Sequence, residues 1–113
     1  MELPLRFTQA QIETILEEAA IYMCGCPAQV CREILNLRKL YRYQQDCVAG
    51  SGDPHVHGLI AAQTIAAHQA MEECLASVMS YEGWDPVTFR MPDNLRKMRD
   101  GLIEDENASD PRP

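Results

Sequence analysis

Two long stretches of helical periodicity meet at one short break, and this arrangement limits the chain to few folds. The break spans residues 49–54, where two glycines flank Ser51 and a proline follows Asp53. Asp53 and Pro54 have the form of a helix N-cap followed by a first-turn proline, and Gly83 supplies a C-terminal stop. We therefore predict two long helices that fold back on each other as an antiparallel hairpin. Before the break, the apolar residues at helical spacing are Val30, Ile34, Leu37 and Tyr41.

The N-terminal part of the chain predicts a shorter helix. Thr8 and Gln11 have the spacing of a capping box, in which each side chain accepts a hydrogen bond from the backbone amide of the other residue. An apolar stripe follows, and we expect this helix to end near Cys24. Pro27 then suits the first position of the second helix, with Cys26 as its cap. The stripe consists of Ile12, Ile15, Leu16, Ala19 and Met23.

The third helix is predicted to run from Pro54 to Glu82 and to be central, because it is rich in alanine and carries few charges. A fourth, short helix is predicted to start near Asp93, and the polar, proline-containing tail 104–113 is expected to be disordered. No segment alternates with the two-residue period of a half-buried strand. The apolar residues of the third helix are Ile60, Ala67, Met71, Leu75 and Val78, and those of the fourth are Leu95, Met98 and Leu102.

These elements predict an all-α fold, a small three- to four-helix bundle built on a long antiparallel helical hairpin. The chain has 113 residues, of which 46% are hydrophobic, and this is enough for one continuous core but not for two. We predict a single helical-bundle domain over residues 1–103, followed by the disordered tail 104–113.

The charge balance argues against two classes of partner. The chain carries 17 acidic and 10 basic side chains, a net charge of −7, so its average field repels nucleic acid and anionic membranes. The N-terminus shows no export signal and no apolar run of about 18 residues is present, which favours the reducing cytoplasm. We interpret a group of basic residues in the second helix as its solvated face: Arg32, Arg38, Lys39 and Arg42.

The cysteines are the most informative chemical feature. Cys24, Cys26 and Cys31 lie close together at the predicted start of the second helix, where the helix dipole is expected to lower thiol pKa values. At about 1.5 Å rise per residue, Cys31 lies about 27 Å from the turn and Cys74 about 30 Å, so the hairpin sets the two level. The predicted metal ligands are Cys24, Cys26, Cys31 and Cys74, with Glu72 and His68 as additional candidates.

Three interpretations of these cysteines stay open. Four thiolates suit tetrahedral zinc or an iron–sulfur cluster, and carboxylate or histidine ligands would favour zinc or another transition metal. Free cysteines also pack as small apolar residues, and Cys24 with Cys26 could perform thiol–disulfide chemistry. Cys47 lies about 24 Å from Cys31 along a straight helix and does not belong to this group.

The histidines support no recognisable catalytic motif. His55 and His57 form a second candidate ligand set with Cys47, but two histidines at this spacing diverge on a helix and chelate poorly. His68 and Glu72 are four residues apart and can meet on one helical face, either as a structural hydrogen bond or as part of a site. With no nucleophile motif and no phosphate-binding loop, an enzyme is disfavoured.

Two functional hypotheses follow. The third helix is apolar on most sides, and three short partners leave part of it uncovered, which favours burial against a second copy or another protein. The first hypothesis is a non-enzymatic cytoplasmic accessory or protein-interaction protein that forms a homodimer. The alternative is a metal or iron–sulfur protein that uses the cysteine cluster in redox sensing or metal handling.

Overall fold

The computed structural model describes residues 2–19, 25–50 and 52–96. Three helices follow one another in this part of the chain: α1 (Gln9–Ala19), α2 (Cys26–Ala49) and α3 (Pro54–Glu82). A fourth helical segment covers residues 93–96. The described residues contain no strand, and α2 and α3 pack against each other. The all-α prediction is therefore confirmed.

Local capping signals explain where the helices begin and end. Thr8 and Gln11 cap α1 reciprocally, with N···O distances of 2.9 and 3.1 Å. At the start of α3, the Asp53 carboxylate accepts a hydrogen bond from the backbone N–H of His55, and Gly83 follows the helix with φ of 84°. The second helix begins one residue earlier than predicted, and its N-cap is Gly25 rather than Cys26. Gly25 has a φ of 62°, a left-handed conformation that glycine adopts more easily than cysteine.

Two side-chain contacts show that α2 and α3 are antiparallel. Arg38 Nε lies 3.0 Å from His68 Nε2, and nearer the turn Gln44 contacts His57. Gln44 is nearer the turn than Arg38 on α2, and its partner His57 is nearer the turn than His68 on α3, so the two helices run in opposite directions. This confirms the predicted hairpin, and α1 packs against α2.

The hydrophobic core lies at the open end of the hairpin, away from the turn. There α1 and the segment 84–95 cover the beginning of α2 and the end of α3. Near the turn the described helices lack such a third layer, and Leu59 is 58% exposed. The core side chains come from the N-terminal segment, the three helices and segment 84–95: Phe7, Ile12, Ile15, Ala19, Ala28, Cys31, Ile34, Leu75, Met79, Trp84, Met91 and Leu95.

The inner face of α3 differs from the sequence prediction. Of the residues predicted to share one apolar side, Leu75 is buried and Met71 and Val78 are half-buried, whereas Ile60 and Ala67 are exposed. The face turned toward α2 includes polar side chains instead. His68 and Glu72 meet Arg38 of α2, and Thr64 donates to the carbonyl oxygen of Ile60 within α3. The buried residues of α3 are Thr64, His68, Glu72, Leu75 and Met79.

Some predictions fall on residues that the structure does not describe. The fourth helix begins at Asp93 as predicted and Leu95 is buried, but Met98, Leu102 and the tail 104–113 lie outside the described residues. The same is true of Met23, of Cys24 and of the domain boundary at residue 103. Among the helices described, none combines the length and apolar character needed to cross a membrane.

Candidate functional site

Three of the four cysteines in the predicted metal site lie among the described residues, and they differ in exposure. Cys26 and Cys74 are exposed, whereas Cys31 is fully buried in the core. Cys31 and Cys74 thus face different surroundings, although the antiparallel register sets them at a similar level of the hairpin. Cys24 lies outside the described residues.

The surroundings of Cys31 alter its acidity. Burial raises the pKa of the Cys31 thiol to about 11, while Arg32 and Arg38 act in the opposite direction. The lowered pKa expected from the helix dipole is therefore wrong for Cys31, because removal of the thiolate from water outweighs the nearby positive charges. Near neutral pH Cys31 is a protonated thiol that packs as a small apolar residue.

No group of three or more His, Cys, Asp or Glu side chains is arranged to hold a metal ion within the described ranges. This includes the set near the turn, Cys47, His55 and His57, in which the His57 ring instead hydrogen-bonds with Gln44. Because Cys24 is not described, the four-cysteine site with zinc or an iron–sulfur cluster stays a prediction. The additional candidates, His68 and Glu72, take part in a different cluster.

A buried polar cluster joins the two long helices at mid-length. Arg38 of α2 donates from Nε to His68 Nε2 at 3.0 Å, and its terminal nitrogen lies 3.4 Å from Glu72 Oε2. Relative exposures of 8%, 1% and 3% for Arg38, His68 and Glu72 place all three inside the protein. Arg38 was expected on the solvated face of the helix with Arg32, and this expectation is wrong because Arg38 has two polar partners on α3.

The cluster also ties the N-terminal segment to the hairpin. Glu72 Oε2 accepts hydrogen bonds from the backbone N–H groups of Arg6 and Phe7, at 2.8 and 3.0 Å. Arg38 donates to the carbonyl oxygen of Phe7 at 2.6 Å and to Gln9 Oε1 at 3.1 Å. A buried carboxylate and a buried guanidinium thereby compensate each other while they fix the path of residues 6–9.

His68 is neutral in this cluster. Burial is the main cause that lowers its pKa, Glu72 acts to raise it, and Arg38 adds to the lowering. Because Arg38 donates to Nε2, the imidazole proton belongs on Nδ1, which lies 3.5 Å from Glu72 Oε1. The ring nitrogens thus face partners within the chain, and the cluster holds three segments together.

A second feature is a groove between α2 and α3 toward the turn, which we call the turn-end groove. It has a volume of about 440 Å³, and its lining includes no charged residue. Leu40 is 40% exposed and Leu59 is 58% exposed. Exposed aliphatic side chains in a concave, uncharged surface are typical of a protein-binding site. The groove is lined by Leu37, Leu40, Leu59, Ile60, Gln63, Thr64 and Ala67.

Sequence reasoning found the uncovered apolar helix but missed the groove and the role of Arg38. The antiparallel register that predicts Cys31 level with Cys74 also sets Arg38 level with His68, and this signal could have identified the buried pair. No comparable sequence pattern predicted that Leu37 and Leu40 line the groove. Leu37 was assigned to the buried face of α2, and in the structure it is half-buried.

Comparison with known proteins adds no assignment: no family model matches the chain, and no curated protein or solved structure matches it either.

Proposed function

We propose that this protein is a non-enzymatic accessory protein of the cytoplasm that acts by binding protein, and that it forms a homodimer through the turn-end groove. The observation that carries the proposal is the exposure of Leu40, Leu59 and Ile60 around an uncharged groove. Because these side chains are 37–58% exposed, association can bury only that fraction, which contributes about 1 kcal/mol for each side chain, and several together favour association.

Charge supports a second copy as the occupant of the groove. Each chain carries a net charge of −7, so two copies repel each other over much of their surface. The groove is an exception because its lining carries no charge. A two-fold axis would set the same apolar residues of both chains against each other and keep the acidic surfaces apart.

The helix that forms one wall of the groove allows close approach. Beside Leu59 and Ile60, α3 presents Ala66, Ala67 and Ala70 to solvent. Small side chains let two helix backbones come near each other, and the larger residues then fill the space at one end. A stable dimer of this kind is expected to bury about 800 Å² on each chain.

The test is the mass in solution, measured by light scattering or sedimentation over a range of concentrations. We expect twice the chain mass of 12.8 kDa for the native protein. Leu59→Glu should give a monomer of unchanged helicity, because it places a charge in each half of the interface. Tyr81→Glu is the matched control, since Tyr81 is a 93% exposed residue of α3 outside the groove lining.

Two results would contradict the proposal. One is a native chain that stays monomeric at high concentration. The other is a Leu59→Glu variant that dimerises as well as the Tyr81→Glu control, because the dimer would then use another surface.

A further inference from the structure

A second cavity lies at the opposite end of the molecule, and we call it the core-end cavity. It forms where the N-terminal segment, α1, the end of α3 and the segment 84–89 meet. Its volume is about 560 Å³, and sites for small molecules commonly have volumes of about 300–1,000 Å³. Such sites favour a meeting point of several elements, because each element then supplies part of the wall.

Three of the nine residues that line this cavity are aromatic: Phe7, Trp84 and Phe89. Phe7, Met79 and Trp84 are 5–6% exposed, and all three line it. The rings of Phe7 and Phe89 meet edge to face, with centroids 5.9 Å apart and an interplanar angle of 72°. The indole N–H of Trp84 donates to Glu82 at 2.9 Å, so its polar group already has a partner. These walls suit a flat apolar ring.

Phe89 is held in its place by a strained backbone. It is the non-glycine residue with positive φ among the described residues, at 60°, and this region disfavours a bulky side chain. The strain is maintained by a closed loop in which Asp85 Oδ1 accepts from Val87 and Thr88 and the Phe89 N–H donates to the Asp85 carbonyl. Strained residues that the surroundings hold in place are concentrated at ligand-binding sites.

One side chain gives the cavity a charge. Arg6 is the charged residue of the lining, it is exposed, and its guanidinium makes no hydrogen bond or ion pair with any described residue. Its backbone N–H donates to Glu72 Oε2 at 2.8 Å, which fixes the backbone of Arg6 at the edge of the cavity. In a chain of net charge −7, a guanidinium that has no ion pair among the described residues favours an anionic ligand in the cavity that Arg6 lines.

We propose that the core-end cavity binds a small aromatic carboxylate. The ring packs among Phe7, Trp84 and Phe89, and the carboxylate accepts hydrogen bonds from the Arg6 guanidinium. A planar guanidinium can donate two parallel hydrogen bonds to a carboxylate, so this pairing recognises the anion by geometry as well as by charge. This proposal is independent of the homodimer, because none of the cavity residues lines the turn-end groove.

The experiment uses Trp84, the single tryptophan of the chain, as a fluorescent reporter inside the cavity. The probes are hydrocinnamate and its neutral analogue, hydrocinnamyl alcohol. We expect hydrocinnamate to change the Trp84 emission saturably, with a dissociation constant below about 1 mM. Arg6→Gln should weaken hydrocinnamate binding about tenfold, the usual scale for a charge-assisted hydrogen bond, and leave the weaker binding of the alcohol unchanged.

Arg42→Gln is the matched control, because Arg42 is an exposed arginine of α2 outside the cavity, and it should bind as the native chain does. An amide chemical-shift map should place the perturbations at residues 6–7, 76–80 and 84–89. Four results would overturn the proposal: no saturable change, equal affinity for acid and alcohol, an equal loss in Arg42→Gln, or shifts confined to the turn-end groove.

Discussion

The two ends of the hairpin are built from the same pair of helices but are buried in different ways. At the core end, Ile34 of α2 and Leu75 of α3 are fully buried beneath α1 and segment 84–95. At the turn end, Leu40 and Leu59 remain exposed although they are equally apolar. Two packed helices cover only the strip between them, so a third layer of chain must cover the rest of each apolar surface.

The boundary between these ends is the Arg38–His68–Glu72 cluster. It contacts residues 6–9 of the N-terminal segment and binds that segment through the backbone of Arg6 and Phe7. Buried polar groups that are mutually satisfied specify one arrangement, because any shift of a helix leaves a charge unpaired. The cluster therefore fixes where the third layer begins.

Removal of the cluster carboxylate should destabilise the protein most. Glu72→Ala leaves Arg38 buried without its anion and frees the Arg6 and Phe7 amides, so we expect the free energy of unfolding to fall by about 3–5 kcal/mol. Urea denaturation followed by circular dichroism measures this loss, and hydrogen exchange at Phe7 reports release of the segment. Glu73→Ala, at the adjacent exposed position, is the control and should change stability little. Equal losses in both variants would show that the cluster does not join the layers.

A smaller effect should separate the two ends directly. Leu75→Ala removes a fully buried core side chain, and we expect a loss of about 2–5 kcal/mol in the free energy of unfolding. Leu59→Ala makes the same change at the turn end and should cost less than about 0.5 kcal/mol when it is measured on dilute, monomeric protein. Comparable losses for the two leucines would mean that the turn end is covered as well as the core end.

The smallest effect concerns pH and Cys31. Because its pKa is raised to about 11 in the folded chain, the unfolded chain loses this proton first as pH rises. The folded state then binds more protons, so the free energy of unfolding should fall from the usual cysteine pKa of about 8.5 up to the raised value. Cys31→Ala should flatten this dependence in denaturation curves. A slope that is unchanged in the variant would assign it to another group.

Residue spacing predicted the level of Cys31 and Cys74 along the hairpin, but it did not predict their burial. The register that predicts Cys31 level with Cys74 follows from the length of each helix and the position of the turn, and the structure has the same antiparallel register. Burial of Cys31 and exposure of Cys74 do not follow from spacing. They depend on α1 and segment 84–95, which lie over one face of the hairpin at this end.

The three helices, the caps of α1 and α3 and the hairpin follow from the sequence, because these features depend on groups within a few residues of one another. Asp53, Gly83 and the Thr8–Gln11 pair act locally, and each is found in its expected role. The burial of Arg38 and the exposure of Ile60, in contrast, depend on contacts between segments far apart in the chain. The helical period is the same for a covered and an uncovered face, so burial depends on which distant segments pack over each face.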